Sequence, residues 1–145
     1  MNKTLITLAL AFTGSVAFAQ ASPVGVWKTI DDKTKSERAV VRVTETGGVI
    51  SGKLEKLLAA DAKQDAVCDK CADDRKDKPM VGLEIIRGVK KGDGDVWEGG
   101  TILDAAEGKV YKVRMTPIEG GKKMEVRGYV GMPMLGRTQT WIRAE

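Results

Sequence analysis

The 145-residue sequence contains no histidine. Without an imidazole there is no Ser-His-Asp or Cys-His nucleophile, no His-ligated haem, and no zinc site of the Cys₂His₂ or His₃ kind. Cysteine is nearly as scarce. Cys68 and Cys71 are the only two, too few for a four-cysteine metal cage. Large aromatics are few, at 5% of the chain. No stretch beyond the amino-terminal segment is long and apolar enough to cross a bilayer as a helix, so no membrane span is expected. Concentrated charge of one sign is missing too. The net charge is +4, but acids and bases interleave, as in Asp31-Asp32-Lys33 and Asp73-Asp74-Arg75-Lys76-Asp77-Lys78, which gives no footprint for nucleic acid. Asp73-Asp74 and Asp93-Gly94-Asp95 offer oxygens but match no EF-hand loop; they are expected to be solvated turns. No catalytic constellation, metal site or cofactor is expected from this inventory.

What is present begins at the amino terminus. Lys3 supplies a positive charge, Leu5 to Phe12 an apolar run too short to span a bilayer, and Ala17-Phe18-Ala19 a small-x-small site. That order predicts a secretory signal peptide over residues 1–19, cut after Ala19 or Ala21, and hence a product that is exported, periplasmic or secreted. Loss of Lys3 lowers the net charge to +3. The remainder, 20–145, has the length of one domain with its own core.

Along this remainder Val40, Arg42 and Thr44 alternate with Val41 and Val43, the period of a strand with one wet face. Similar patterns predict strands near 24–30, 38–45, 49–57, 81–88, 96–103, 109–116, 123–130 and 137–143. Turn chemistry separates them at Thr46-Gly47-Gly48, Lys91 to Asp95, Ala106-Glu107-Gly108 and Glu119-Gly120-Gly121. The expected fold class is all-β: a single eight-stranded antiparallel up-and-down barrel, which removes exposed edges, with a two-sheet sandwich as the alternative. Leu54 to Ala60 offers one short helical turn, and 59–79 a long loop.

Cys68-Asp69-Lys70-Cys71 is a C-x-x-C. In an oxidising compartment it is expected to be a disulfide that pins this loop, contributing roughly 2 kcal/mol. A thioredoxin-like role would require a helix after Cys71, and Ala72 to Pro79 carries no apolar stripe. Gly25-Val26-Trp27 opens the first strand and Thr138 to Arg143 forms the last, its expected partner. Trp27 would plug one end, with Arg143 or Arg137 lying across the indole. Met115, Met132 and Met134, together with Tyr129 and Trp97, are the candidate lining of an apolar cavity, with Met132-Pro133-Met134 at a barrel mouth.

The G-x-W opening and the arginine near the last strand resemble the calycin pattern of lipocalins. A broader resemblance rests on Pro23 to Thr29, Val67-Cys68-Asp69-Lys70-Cys71, Asp74 to Glu84, Glu98 to Asp104, Val126-Arg127-Gly128-Tyr129 and Leu135 to Trp141. These segments are similar to the DUF2147 family of exported bacterial proteins. That resemblance implies a small lipocalin-like barrel and supplies no catalytic residues. The leading expectation is therefore a non-enzymatic binding module with a small hydrophobic ligand inside the barrel. A filled barrel serving as a periplasmic protein-interaction or envelope-maintenance module is the alternative. A thiol-redox protein acting through Cys68 and Cys71 is the third.

Overall fold

The computed structural model describes residues 21–145, with Ala9 and Ala11; the remainder of the predicted signal peptide lies outside the described residues. Eight strands follow one another: β1 (Gly25–Ile30), β2 (Glu37–Thr46), β3 (Val49–Leu57), β4 (Glu84–Lys91), β5 (Trp97–Asp104), β6 (Lys109–Ile118), β7 (Lys123–Tyr129) and β8 (Arg137–Arg143). Each pairs antiparallel with the next, and β8 returns to β1, so the meander is a closed barrel. The expected all-β, eight-stranded class is the observed one. At the β2–β3 hairpin Gly47 and Gly48 have φ of 57° and 81°, the pair of positive φ values that matches a tight turn to strand twist.

Alternation sends one face of every strand inward. Trp27, Val41, Ile50, Ile86, Val89, Val113, Met115 and Met124 are all at 0% exposure. A water-sized void against any of them would leave accessible surface, so this part of the interior is packed solid. Burying each such side chain contributes about 1.5–3 kcal/mol.

Of five register shifts in the ladder, three bend the sheet around this core. The register shifts between Val40 and Val41 opposite β3, between Ile50 and Gly52 opposite β4, and between Trp97 and Gly100 opposite β6. Each inserts a residue, so inward positions recur three apart instead of two: Leu54 and Leu57, Ile86 and Val89, Trp97 and Gly100. This corrects the expected helical turn over 54–60. β3 runs through Leu57 and no helix follows; the apolar spacing of three is a bulge, not a helix. It also moves β4 to 84–91 from the expected 81–88, since Gly88 (φ 69°) restarts the alternation.

The long segment 58–83 is tied down along its length. Met80 N–H donates to Ala66 and Cys68 N–H to Lys78, while Gly82 N–H donates to Leu54 of β3. Ile85 and Leu103 point away from the barrel interior by alternation, yet both are buried. The cysteine segment covers them. Arg75, itself buried, donates to the Glu84 carbonyl, and Cys68 Sγ lies 3.7 Å from the Ala105 carbonyl.

Candidate functional site

The barrel has two unlike ends. At the end where β1 begins, Trp27 is fully buried and its indole N–H donates to the Pro23 carbonyl at 2.8 Å. The Arg143 guanidinium carbon sits 4.2 Å from the ring centroid. Its N–H groups donate to the carbonyls of Gly121, Val24 and Ser22. One side chain thus stitches the last strand to the β6–β7 turn and to the segment preceding β1. Position 25 must be glycine here: a Cβ would lie 2.3 Å from Arg143 Nη1, and φ is 139°. Burial lowers the Arg143 pKa from its ordinary value. Trp141, Met124, Met115 and Trp97 complete this sealed layer. The Trp97 indole N–H is buried without an acceptor among the described residues.

The opposite end is open on one side. Pairing places Ile102 opposite Tyr111, Val113 opposite Gly128, and Gly128 opposite Arg137. Since Val113 faces inward, Tyr111 and Arg137 do as well, and Gln139 lies between Arg137 and the inward Trp141. On β1 to β3 the inner face stays buried up to Thr29, Ala39 and Leu54. On β5 to β8 it does not: Ile102, Tyr111, Gly128 and Gln139 are half-buried and Arg137 is exposed. The inner face of these four strands is thus accessible at this end, polar at Tyr111, Gln139 and Arg137 and apolar at Ile102, which packs against the core.

This face lies beside a weak seam. Backbone pairing between β1 and β8 is confined to Trp27 with Arg143 and Lys28 with Ile142. Toward the open end the two strands are tied by side chains: Arg137 Nε and Nη2 donate to the two oxygens of Asp32 at 2.7 and 2.5 Å. The hydrogen bond from Arg137 holds Asp32 below its ordinary pKa, and Asp32 raises that of Arg137. The neighbouring β7–β8 connection leaves Val130, Met132, Met134 and Leu135 at 68%, 57%, 73% and 74% exposure. Arg127 fixes its backbone by donating to the Pro133 and Met134 carbonyls.

The sequence-derived candidates are thereby separated. Arg143 lies over Trp27, whereas Arg137 is at the other end on Asp32. Of the five residues proposed to line an apolar cavity, Met115 and Trp97 are closed into the packed layer. Tyr129 pairs with the exposed Lys112 and faces outward. Met132 and Met134 stand on the loop beside the mouth, because Gly131 and Pro133 carry the chain out of β7. The five do not form one site. Tyr111, Gln139, Ile102 and Asp32 were missed, although Tyr111 and Gln139 fall in phase with the apolar positions Val113, Met115 and Trp141.

Cys68 and Cys71 form a disulfide at 0% and 2% exposure. Thiol exchange requires attack on a sulfur, and here both are sheltered. Asp73 is held down to about 2 by the hydrogen bonds it accepts from the Arg75 side chain and backbone; the pair anchors the segment that covers the disulfide. Two concavities, of about 570 and 300 Å³, lie on the outer surface where 79–83 rides over β3, and share Lys53, Val81 and Gly82. Among the described residues no group of three or more Cys, Asp or Glu side chains is placed to hold a metal ion. No helix among them is long and apolar enough to cross a membrane.

An eight-stranded antiparallel meander, closed on itself and sealed at one end by an arginine over the first strand's tryptophan, is a lipocalin-like barrel. The chain belongs to the DUF2147 family, described as uncharacterized protein conserved in bacteria, whose profile matches residues 25–143. The solved structure of protein HP1028 from the human pathogen Helicobacter pylori, described as belonging to the lipocalin family, is similar to it. The TM-score is 0.73 at 18% identity, over 86% of this chain and 84% of that one. No curated protein matches this chain.

Proposed function

We propose that this protein is an exported, non-enzymatic binding module that holds a small amphipathic ligand on the inner face of β5 to β8 at its open end. One observation carries this reading. The inner face of β5 to β8 passes from fully buried to half-buried toward that end, and turns polar as it does so, at Tyr111, Gln139 and Arg137. Inward polar groups that open to solvent beside apolar wall are the arrangement that orients a small ligand. The packed interior beneath gives no support to a ligand held deep in the barrel. The likeness to a lipocalin-family protein favours binding over catalysis, and the signal-like amino terminus supports export.

The test is an NMR titration with decanol, a neutral amphiphile. Amide shifts at Tyr111, Gly128 and Gln139, with Val41 and Met124 unmoved, are the expected result. Shifts confined to the deep core, or none at all, would overturn the reading. A second reading is favoured by the exposed apolar side chains of 130–135: the same end docks a protein partner in envelope upkeep. Photo-crosslinking from position 134 in periplasm separates the two, since a small-ligand module yields no discrete protein adduct.

A further inference from the structure

We propose that this protein carries a second binding site, on its outer wall and apart from the open end, for an elongated dianion whose two charged groups are held apart by an apolar spacer. The two outer concavities, of about 570 and 300 Å³, meet at Lys53, Val81 and Gly82 and together form one groove between β3 and the segment 78–82. Apolar side chains of Val40, Val81 and Pro79 line it, with six basic and three acidic residues. All three acids are already engaged, Glu55 by Arg42, and Asp74 and Glu84 by Arg87. Lys53, Lys56 and Lys78 are exposed and have no carboxylate partner among the described residues. The groove is therefore left with uncompensated positive charge.

A bulge brings these cations together. Lys53 and Lys56 are three positions apart, and in an unbroken strand they would stand on opposite faces. The register shift between Val40 and Val41 sets Lys56 opposite Val40 and Leu54 opposite Val41, so Glu55 is the extra residue of β3. Lys56 is thereby turned to the outer face with Lys53, roughly 10 Å further along the strand. Lys78 comes from the other side of the groove. Its backbone is fixed there, since its carbonyl accepts from Cys68 N–H and the buried Arg75 ties the same segment to the Glu84 carbonyl. One free cation thus lines each concavity, Lys56 the larger and Lys78 the smaller, with Lys53 and the apolar Val81 shared between them. A dianion with an apolar spacer meets both cations and the ridge at once, whereas a monoanion meets one end. Ammonium groups act as point charges and impose no fork, so the spacing of the two charges is what the groove selects.

The test compares decanedioate, decanoate and decanediol by NMR titration of the protein at about 20 mM salt, where surface charges are weakly screened. Decanedioate should shift the amides of Lys53, Val81 and Gly82, bind more tightly than decanoate, and lose affinity at about 300 mM salt. Lys53→Gln, Lys56→Gln and Lys78→Gln should each weaken it about threefold and the triple variant about twentyfold, the range of exposed ion pairs. Any shift at Tyr111 or Gln139 belongs to the open end and should not respond to these variants. Lys112→Gln, which removes an exposed lysine of β6, should leave decanedioate affinity unchanged. An equal loss with Lys112→Gln would assign the attraction to net charge and not to the groove. That result, decanediol binding as tightly as decanedioate, or no shift at Val81 and Gly82 would each overturn the proposal.

Discussion

At each end of this barrel an arginine of β8 reaches toward β1, yet to opposite effect. At one end Arg143 of β8 lies on Trp27 of β1, donates to three carbonyls and is partly buried. At the other, Arg137 of β8 reaches the turn after β1, makes one carboxylate contact and is exposed. The difference is what surrounds each guanidinium. Buried donors facing carbonyls cannot be exchanged for water without loss, whereas an exposed ion pair contributes little to stability and is free to change partner. Structure is concentrated at one end, and the proposed recognition at the other.

The largest expected break in this comparison is Trp27→Ala, which empties the fully packed end and should cost about 3–5 kcal/mol, read as the fall in a urea unfolding midpoint. Arg143→Leu comes next. It removes the cation over the ring and leaves the Ser22, Val24 and Gly121 carbonyls without that donor, at about 2–3 kcal/mol by the same measurement. Replacing Cys68 and Cys71 by alanine should cost roughly 2 kcal/mol, with faster amide exchange at Ile85 and Leu103 and no change at Trp27; equal loosening at both ends would show that the disulfide segment supports the whole barrel.

A smaller effect follows from acid. Asp73 is ionised well below its ordinary value of 3.8, so what its pairing with Arg75 contributes is present above that value and lost as pH falls through about 2. Amide exchange over residues 68–78 should rise in that window, and Asp73→Asn should remove the pH dependence. The smallest effect sharpens the contrast: Arg137→Gln should leave the unfolding midpoint unchanged within error, since its partner is another surface group.

Much of the fold was legible because alternation is a direct consequence of a pleated strand with one buried face. Val41 and Val43, or Val113 and Met115, announce the interior with no knowledge of the rest. The bulges were not legible. Leu54 and Leu57 stand three apart because one residue of β3 is extra, and the same spacing belongs to a helical turn; only the pairing with β2 distinguishes them. The site was harder still. Flexible, apolar methionines suit a cavity lining, but Met115 fills the core tightly and Met132 and Met134 leave it altogether. Tyr111, Gln139 and Arg137 carry the same period as their buried neighbours. That they rise above the packed layer depends on how far the opposite wall extends, a relation among eight strands that no single segment contains.

The clasp on Trp27 reaches across nearly the entire chain, since Arg143 donates to Val24, 119 positions earlier. A polypeptide emerging from its amino terminus therefore holds an unsealed first strand until β8 is released, and only then can the ring join. Contacts of such sequence separation slow folding, because closing a long loop costs entropy before any contact forms. Shortening the carboxyl terminus by three residues would remove Arg143 and one of the two pairs that join β8 to β1, loosening the ring into two edges prone to join another molecule instead. Selection on those last residues concerns completion of the molecule as much as the strand they form.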